Sequence, residues 1–543
     1  MPPGKWWGWG DTKRRIELGP SAHALLRSEL GEGVPIPVAE LDEVALSAAR
    51  PLPDALIDAT RDVAKVDSHE HRLRRAAGKS YPDLIRMRSG AVGAAPDAIF
   101  LPTSAEQVAV VLRACANEGV AVVPFGGGTS VVGGVTPMAG DCERVISLDL
   151  RRMRSVDVDH RSLTATLGPG LRGPEAEQAL AAQGMTLGHF PQSFEYATIG
   201  GFAATRSAGQ ASSGYGRFDD LVTAVQMLSP AGRVETLQTP HTAAGPSIRE
   251  LVIGSEGALG VIDEVTVRVR PAPQARRYEA WFAADFASGA EIVRELAQHE
   301  ALPDITRLSD EEETRFSLML AGIEGARRTA FDAYLKLRRR AGGCMMIFGW
   351  EGEREDVRRR RAISTRVIRR GGAVPLGTGA GSAWEHGRYN GPYLRDELID
   401  RGILVETLET SHTWSKLAEH YRTVGDAIRG ALERGGTPPI VFCHLSHAYP
   451  DGASLYYTFL ARAKAGEELE QWRAAKTAAC EAIVSTGGTI THHHAVGQDH
   501  APYMKAEVGE LGIEVLRAAK ERLDPAGIMN PGKLLPEEVR FAS

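Results

Sequence analysis

Two strings in this 543-residue sequence pair residue type with spacing in a way that could do chemistry. The first is Pro124-Phe125-Gly126-Gly127-Gly128-Thr129-Ser130, followed closely by Gly133 and Gly134. It comes straight off AVAVV, a run that reads as a buried strand. Three adjacent glycines carry no Cβ, so successive backbone N–H groups can converge on an anion, and two hydroxyls complete the cradle. The loop is neither G-x-x-x-x-G-K-[ST] nor G-x-G-x-x-G, which counts against nucleotide hydrolysis and an ordinary Rossmann site. A plain hairpin turn would use the same glycines, so this loop alone leaves both readings open. The second string is Thr491-His492-His493-His494-Ala495-Val496-Gly497. Imidazole is the commonest protein metal ligand and also the side chain whose proton moves near neutral pH. Neighbouring side chains diverge on helix and strand alike, so three adjacent histidines seldom meet at one ion. The run reads as part of a reactive site, with a solvated polar stretch as its bland rival, and no metal is expected.

Two further clusters resemble the first in texture. One is FPQSFEYATIGGFAATRSAG, with Thr198, Gly200, Gly201, Thr205 and Arg206; the other is GSEGALGVIDEVTVRV, with Gly254, Glu256, Gly257, Gly260, Val261 and Ile262. Three glycine clusters with Thr or Ser beside them suit a large phosphorylated cofactor wrapped by backbone. They also locate part of a general excess: 59 glycines in 543 residues, about 11%, against a usual figure of roughly 7%.

The elements that must hold these loops can be read from periodicity. Thr103 precedes Glu106 by three, the spacing of a capping box, and Val108, Val111, Leu112 and Cys115 then recur at helical spacing until Gly119. Strand patterns follow at RVISLDL, SLTATLGPG, LVTAVQMLSP and GVIDEVTVRVRP. Residues 92–271 therefore predict an α+β domain of short strands and tight turns. Residues 1–91 read as helical and polar, and 272–500 as mixed strands with long charged helices. The last stretch, 501–543, is an amphipathic helix stopped at Asp524-Pro525 and a Gly/Pro-rich tail. Within 272–500, REDVRRRRAISTRVIRR holds eight arginines, either a solvated helix face or a surface for anionic lipid or acidic substrate.

Composition removes several function classes. The chain carries 63 Lys+Arg against 69 Asp+Glu, a net charge of −6, so nucleic acid is not an expected partner. Five scattered cysteines without a Cys-x-x-Cys pair argue against structural zinc and a disulfide framework, and for a reducing compartment. MPPGKWWGWGDTKRR lacks the apolar core of a signal peptide, and no run approaches the ~18 apolar residues of a membrane span. A soluble, cytoplasmic protein is expected.

PFGGGTS, TIGG, GSEGALGVI and the ending LDPAGIMNPGK together resemble the FAD-binding fold of the vanillyl-alcohol-oxidase/p-cresol-methylhydroxylase superfamily. The resemblance implies a PCMH-type FAD domain of two α+β subdomains at 92–271, to which 501–543 returns, and a mixed α/β substrate cap at 272–500. The implied cofactor contacts are Pro124 to Ser130, with Phe125, Gly126, Gly127, Gly128 and Thr129 between them, then Gln192-Ser193-Phe194-Glu195-Tyr196-Ala197-Thr198. Thr205-Arg206-Ser207-Ala208 and Glu256-Gly257-Ala258-Leu259-Gly260-Val261-Ile262 complete them. Some members tether FAD through a His or Cys in the first loop; this loop has neither, so noncovalent FAD is implied.

The ordered set KWWGWGD, PFGGGTSVVGG, GHFPQSFEYATIGG, ITRLSD, LRDELIDRGILVETLETS, DGASLYYTF and GGTITHHHAVG is similar to a narrower family, the alkyldihydroxyacetone-phosphate synthases. The likeness runs over most of residues 5–535. It implies a redox-neutral exchange through a covalent flavin–substrate adduct. The acyl chain of acyl-dihydroxyacetone phosphate leaves and a fatty alcohol takes its place. Those lipids are the implied partners, with a homodimer and peripheral membrane contact allowed. Tyr456 falls where the family has its general acid/base, and His492, His493 and His494 match its histidine run. Arg395 matches the phosphate-binding arginine, Arg307 a second required arginine and Thr407 a site serine. Two positions depart: Gln192 stands for an aspartate beside the flavin and His444 for an arginine. His444 also loosely matches the histidine of FAD-dependent D-2-hydroxyacid dehydrogenases, the alternative function. Without the resemblance, Tyr456 or Tyr457 would pass as a core aromatic, and Arg395 as a helix-surface partner of Glu397 or Asp400.

Overall fold

The computed structural model describes residues 4–322 and 325–536. The helix Ala105–Glu118 forms where its apolar spacing predicts and ends on left-handed Gly119. Its cap is one residue later than the Thr103–Glu106 box: Ser104, in extended backbone, accepts the Gln107 N–H. Thr103 instead donates its N–H and hydroxyl to the Gln107 side chain. The strand Val120–Phe125 then runs parallel to Arg144–Asp149, which pairs in parallel with Ala98–Phe100. Lys65–Val66 adds antiparallel at the far edge of this four-stranded sheet. On the near edge the Val122 N–H donates to Ile528 O at 2.8 Å, and Asn530 N–H to Val122 O at 2.9 Å. Parallel strands present their C-terminal ends to ligands, and here that end opens into the glycine loop after Phe125.

A five-stranded antiparallel sheet follows, in the order Val156–Asp159, Thr164–Leu167, Val261–Arg268, Val222–Ser229, Gly232–Glu235. The short helix Ile199–Ala204 packs against its central strand, capped by the Thr198 hydroxyl, which accepts from Gly201 N–H.

The third sheet is wholly antiparallel, ordered Val374–Gly377, Ala275–Ala283, Cys344–Gly352, Ile305–Ser309, Ile440–Ala448, Gly452–Arg462, Ile403–Thr413. Strand side chains alternate between faces. Cys443, Leu445, Leu455, Tyr457 and Phe459 point into a core shared with the helices Phe286–Gln298, Arg354–Arg370, Trp414–Arg434 and Glu468–Thr486. Full burial of a Leu or Phe side chain contributes about 1.5–3 kcal/mol. Phe442, His444, Tyr456 and Thr458 point the other way, into a cavity.

Within 1–91 the described residues are helical only in pieces, at Pro20–Leu30, Asp54–Ala59, His69–Leu73 and Tyr81–Arg88. They are not a polar cover. Trp6 and Trp9 are buried, and the fully buried Arg88 pairs with Asp400 across to the third sheet's unit. The arginine-rich stretch is the helix Arg354–Arg370, and three of its eight arginines pair with acidic residues of other elements. Arg360 pairs with Asp304, Arg361 with Glu279 and Arg370 with Glu295.

Candidate functional site

The first two sheets and one face of the third border one cavity of about 1060 Å³. One limb is made of backbone. The amides of Gly126, Gly127, Gly128, Thr129 and Ser130 donate to no acceptor among the described residues. A Cβ on Gly127 would come within 2.2 Å of Tyr196 O, and one on Gly126 within 2.3 Å of Thr198 Oγ1. Only glycine lets the loops 124–130 and 196–198 approach this closely. Gly257 lies across from them at φ +75°, where a side chain is strained.

The cavity wall includes Pro124 to Ser130, Gln192, Ser193, Ala197, Thr198, Thr205, Ser207, Ala208, Glu256, Gly257, Gly260 and Ile262. Other expected cofactor contacts lie off it. Phe194 stacks on Tyr389, Tyr196 meets Trp9 edge-on, and Glu195 pairs with Arg14. Arg206 turns outward to Asp219 and Glu250. Ala258, Leu259 and Val261 fill hydrophobic clusters instead.

The other limb is made of side chains that sheet register sets in a row. Glu409 is opposite Tyr456, and Tyr456 opposite His444, on three neighbouring strands. The His444 ring stacks on Tyr456 at 4.7 Å between centroids, and His493 and His494 approach the same phenol at 5.9 and 5.4 Å. Burial pushes the Tyr456 phenol up to about 12, opposed by the Thr407 hydroxyl bonded to it and by Arg395. Arg307 and His444 converge on Glu313 at 2.7 and 2.9 Å. Burial opposes the Glu313 charge, yet Arg307 and His444 bring its carboxyl down to about 2. His444 itself falls to about 4 through burial and Arg307, so it is a neutral ring at pH 7.

Arg395 is only 8% exposed and lines this limb. The helix-surface pairing does not occur, because Glu397 is taken by Arg401 and Asp400 by Arg88. Arg395 makes no ion pair among the described residues, and its buried Nε has no hydrogen-bond partner there. A buried cation without a counter-ion is a site for an anion.

Glu409 orders the histidine run. Its carboxylate accepts the N–H groups of His492, His493 (3.0 Å) and His494 (2.7 Å), and the Thr491 hydroxyl at 2.7 Å. The neighbouring His493, His494 and His492 side chains, with the Thr491 hydroxyl, hold its carboxyl well below the usual carboxylate range, against its full burial. The rings stay neutral: burial lowers all three and brings His494 down to about 3. His493 and His494 reach the cavity, while His492 turns behind it to stack on His447 at 5.1 Å.

Comparison with known proteins agrees with this geometry. The model of the FAD binding domain matches residues 96–238, and that of the FAD linked oxidases, C-terminal domain, matches 272–534. The alkyldihydroxyacetonephosphate synthase of Dictyostelium discoideum is 31% identical, over 98% of this chain and 93% of its own. That of Trypanosoma brucei brucei is 33% identical, over 88% and 79%. The chain belongs to the alkyldihydroxyacetonephosphate synthase family. A crystal structure of one such synthase superposes with a TM-score of 0.84 at 29% identity, covering 98% of both chains. The cofactor of this family's fold is FAD, and the five unpaired amides beside a Cβ-free cleft fit its diphosphate. No His or Cys lies in that loop, in keeping with noncovalent binding.

Several site residues escape sequence reasoning. Glu409 and Glu313 sit in charged strings, VETLETS and SDEEE, that look like surface. For Glu409 the signal is the strand alternation within Ile403–Thr413; Glu313 lies in the first turn of the helix Glu311–Leu320, where no alternation marks it. Trp9, Ile16 and Leu18 come from the N-terminal segment, which no local pattern brings to the cavity.

Proposed function

We propose that this protein exchanges the acyl chain of an acyl-dihydroxyacetone phosphate for a fatty alcohol, making an ether-lipid precursor. The unpaired Arg395 guanidinium, facing Tyr456 inside a mostly apolar cavity, carries the reading. Arg395 takes the substrate phosphate, with its planar donors matched to phosphate oxygens. Phe316, Leu318, Leu320 and Ala321 line an apolar extension suited to an alkyl chain. FAD, when bound along 124–130, supplies reversible chemistry at its isoalloxazine ring without net oxidation of the substrate. Tyr456 moves protons at the reacting carbon and the alcohol: it rests as a phenol, held by Thr407 and backed by His444, His493 and His494. Arg307, tied to Glu313, keeps His444 in place against that ring. Gln192, an uncharged side chain on the wall, leaves the cofactor limb one negative charge poorer than an aspartate would.

No helix among the described residues is long and apolar enough to cross a membrane. A cytoplasmic enzyme that meets its lipids by peripheral contact, alone or as a homodimer, completes the proposal. The test is anaerobic incubation of FAD-loaded protein with acyl-dihydroxyacetone phosphate and labelled hexadecanol. Fatty acid release with matching alcohol incorporation is expected, without bleaching of the flavin. No exchange by fully flavinated protein, or bleaching by a D-2-hydroxyacid, overturns it in favour of the dehydrogenase reading.

A further inference from the structure

Behind the cavity wall, hydrogen bonds continue from the reactive limb through His492 and Tyr449, neither of which lines the cavity. His493 does line it, and turns its Nδ1 to the Nδ1 of His492 at 3.0 Å. The other ring nitrogen of His492, Nε2, meets the Tyr449 hydroxyl at 2.7 Å. Tyr449 is half-buried and precedes exposed Pro450 and Asp451. Arg217, Asp219 and Asp220 face its hydroxyl from the neighbouring segment, and Asp220 is exposed. Arg217 also donates to the Tyr449 hydroxyl, so the chain of contacts starts at the cavity wall and runs to a group beside the exposed Pro450, Asp451 and Asp220.

Two imidazole nitrogens 3.0 Å apart need a proton or a cation between their lone pairs. The ligand atoms of His447, His492 and His493 lie within 4.8 Å of one another, so three rings could also close on a metal ion. Charge decides between the two. Arg217 repels positive charge at all three rings, the three ligands are uncharged, and the nearby Glu409 is already engaged by backbone N–H groups. A dication would be held beside a guanidinium without an anionic ligand, whereas a shared proton adds no charge.

We propose that His493, His492 and Tyr449 form a proton relay from the cavity to solvent. The inference rests on the exchange reaction above, whose balance requires an exit. Acyl-dihydroxyacetone phosphate and an alcohol give the ether, a fatty carboxylate and one proton, because the released acid ionises at neutral pH. In the relay, His493 takes a proton at Nε2 and gives its Nδ1 proton to His492 Nδ1. His492 passes its Nε2 proton to the Tyr449 oxygen, whose own hydrogen leaves to water. One proton enters, one leaves, and every member ends neutral. His493 touches the reacting groups; His492 and Tyr449 act through it.

The test follows hexadecanol incorporation by FAD-loaded Tyr449→Phe and His492→Ala at fixed pH and ionic strength while imidazole concentration is raised. In dilute buffer kcat falls about tenfold for Tyr449→Phe, in line with loss of one proton-transfer link. KM and flavin content stay at wild-type values. Added imidazole restores the rate of both variants and leaves wild type unmoved. A Tyr449→Phe enzyme with full kcat in dilute buffer, or a deficit that imidazole does not repair, overturns the relay. So does a metal ion held at one per chain in wild type and lost in His447→Ala. An inactive, fully flavinated wild type overturns the exchange reaction and the relay with it.

Discussion

At one end of the cavity, five consecutive amides wait for an anion and hardly a side chain takes part; at the other, a phenol, three imidazoles and two arginines are placed by three strands, a helix and a loop. The first limb depends on what its residues lack. A Cβ at Gly126 or Gly127 would collide with the neighbouring loop, whatever its chemistry. The second limb depends on what its residues carry, and on partners far along the chain: Tyr456 needs His444 opposite it and Glu409 beneath the histidine run. Backbone recognition therefore tolerates change outside the glycines, while the reactive limb fails when any one side chain loses its function.

Four experiments set the limbs against each other. Tyr456→Phe is expected to lower kcat by about 10²- to 10⁴-fold, the usual contribution of a proton-transferring group, with flavin content intact. Loss of flavin along with activity would break the separation. Gly127→Ala should act the other way round. Overpacking against Tyr196 O costs about 1–3 kcal/mol, read as flavin lost on desalting and partial activity recovered in excess FAD.

The two limbs should also respond oppositely to pH, followed by thermal unfolding of the flavin-free protein. His494 is held down to about 3 from 6.5, so its stabilisation is complete above pH 6.5 and is lost as pH falls toward 3. Glu256 is pushed up to about 7 from 4.5 by burial, so its stabilisation is complete below pH 4.5 and is lost as pH rises through 7. His494→Gln should flatten the acid side of the profile and Glu256→Gln the neutral side; a shared response would show that the limbs unfold as one. The smallest effect is expected from Ser104→Ala, which removes a helix cap remote from both limbs. It should lower stability by about 1 kcal/mol and alter neither flavin content nor kcat.

Legibility differs between the limbs for a physical reason. Gly126-Gly127-Gly128 announces itself because a bare backbone is a local property, and the motif lies on consecutive residues. Phe194, Tyr196 and Arg206 are cofactor contacts by the resemblance, and no local pattern announces the contacts they make with Tyr389, Trp9 and Asp219. The resemblance singles out Tyr456 and the sheet supplies the reason: adjacent residues face opposite sides, and Tyr457 donates to Tyr421 O in the core at 3.0 Å. Likewise, Arg395 resembles any helix-surface arginine until Arg401 and Arg88 are seen to occupy its would-be partners.

By itself, then, the sequence determined the order of elements, the glycine cradle and, through its ordered motifs, the family and its FAD. Helical spacing, strand alternation and the absence of Cβ act over a few residues, so they survive as pattern. Only the tertiary structure decided which carboxylates serve the site, which histidine turns away from the cavity, and that Arg395 lies buried without a counter-ion. Those outcomes depend on electrostatics and register between residues as distant as Glu409 and His494: burial keeps the His494 ring neutral, while neighbouring groups hold the Glu409 carboxyl low against burial.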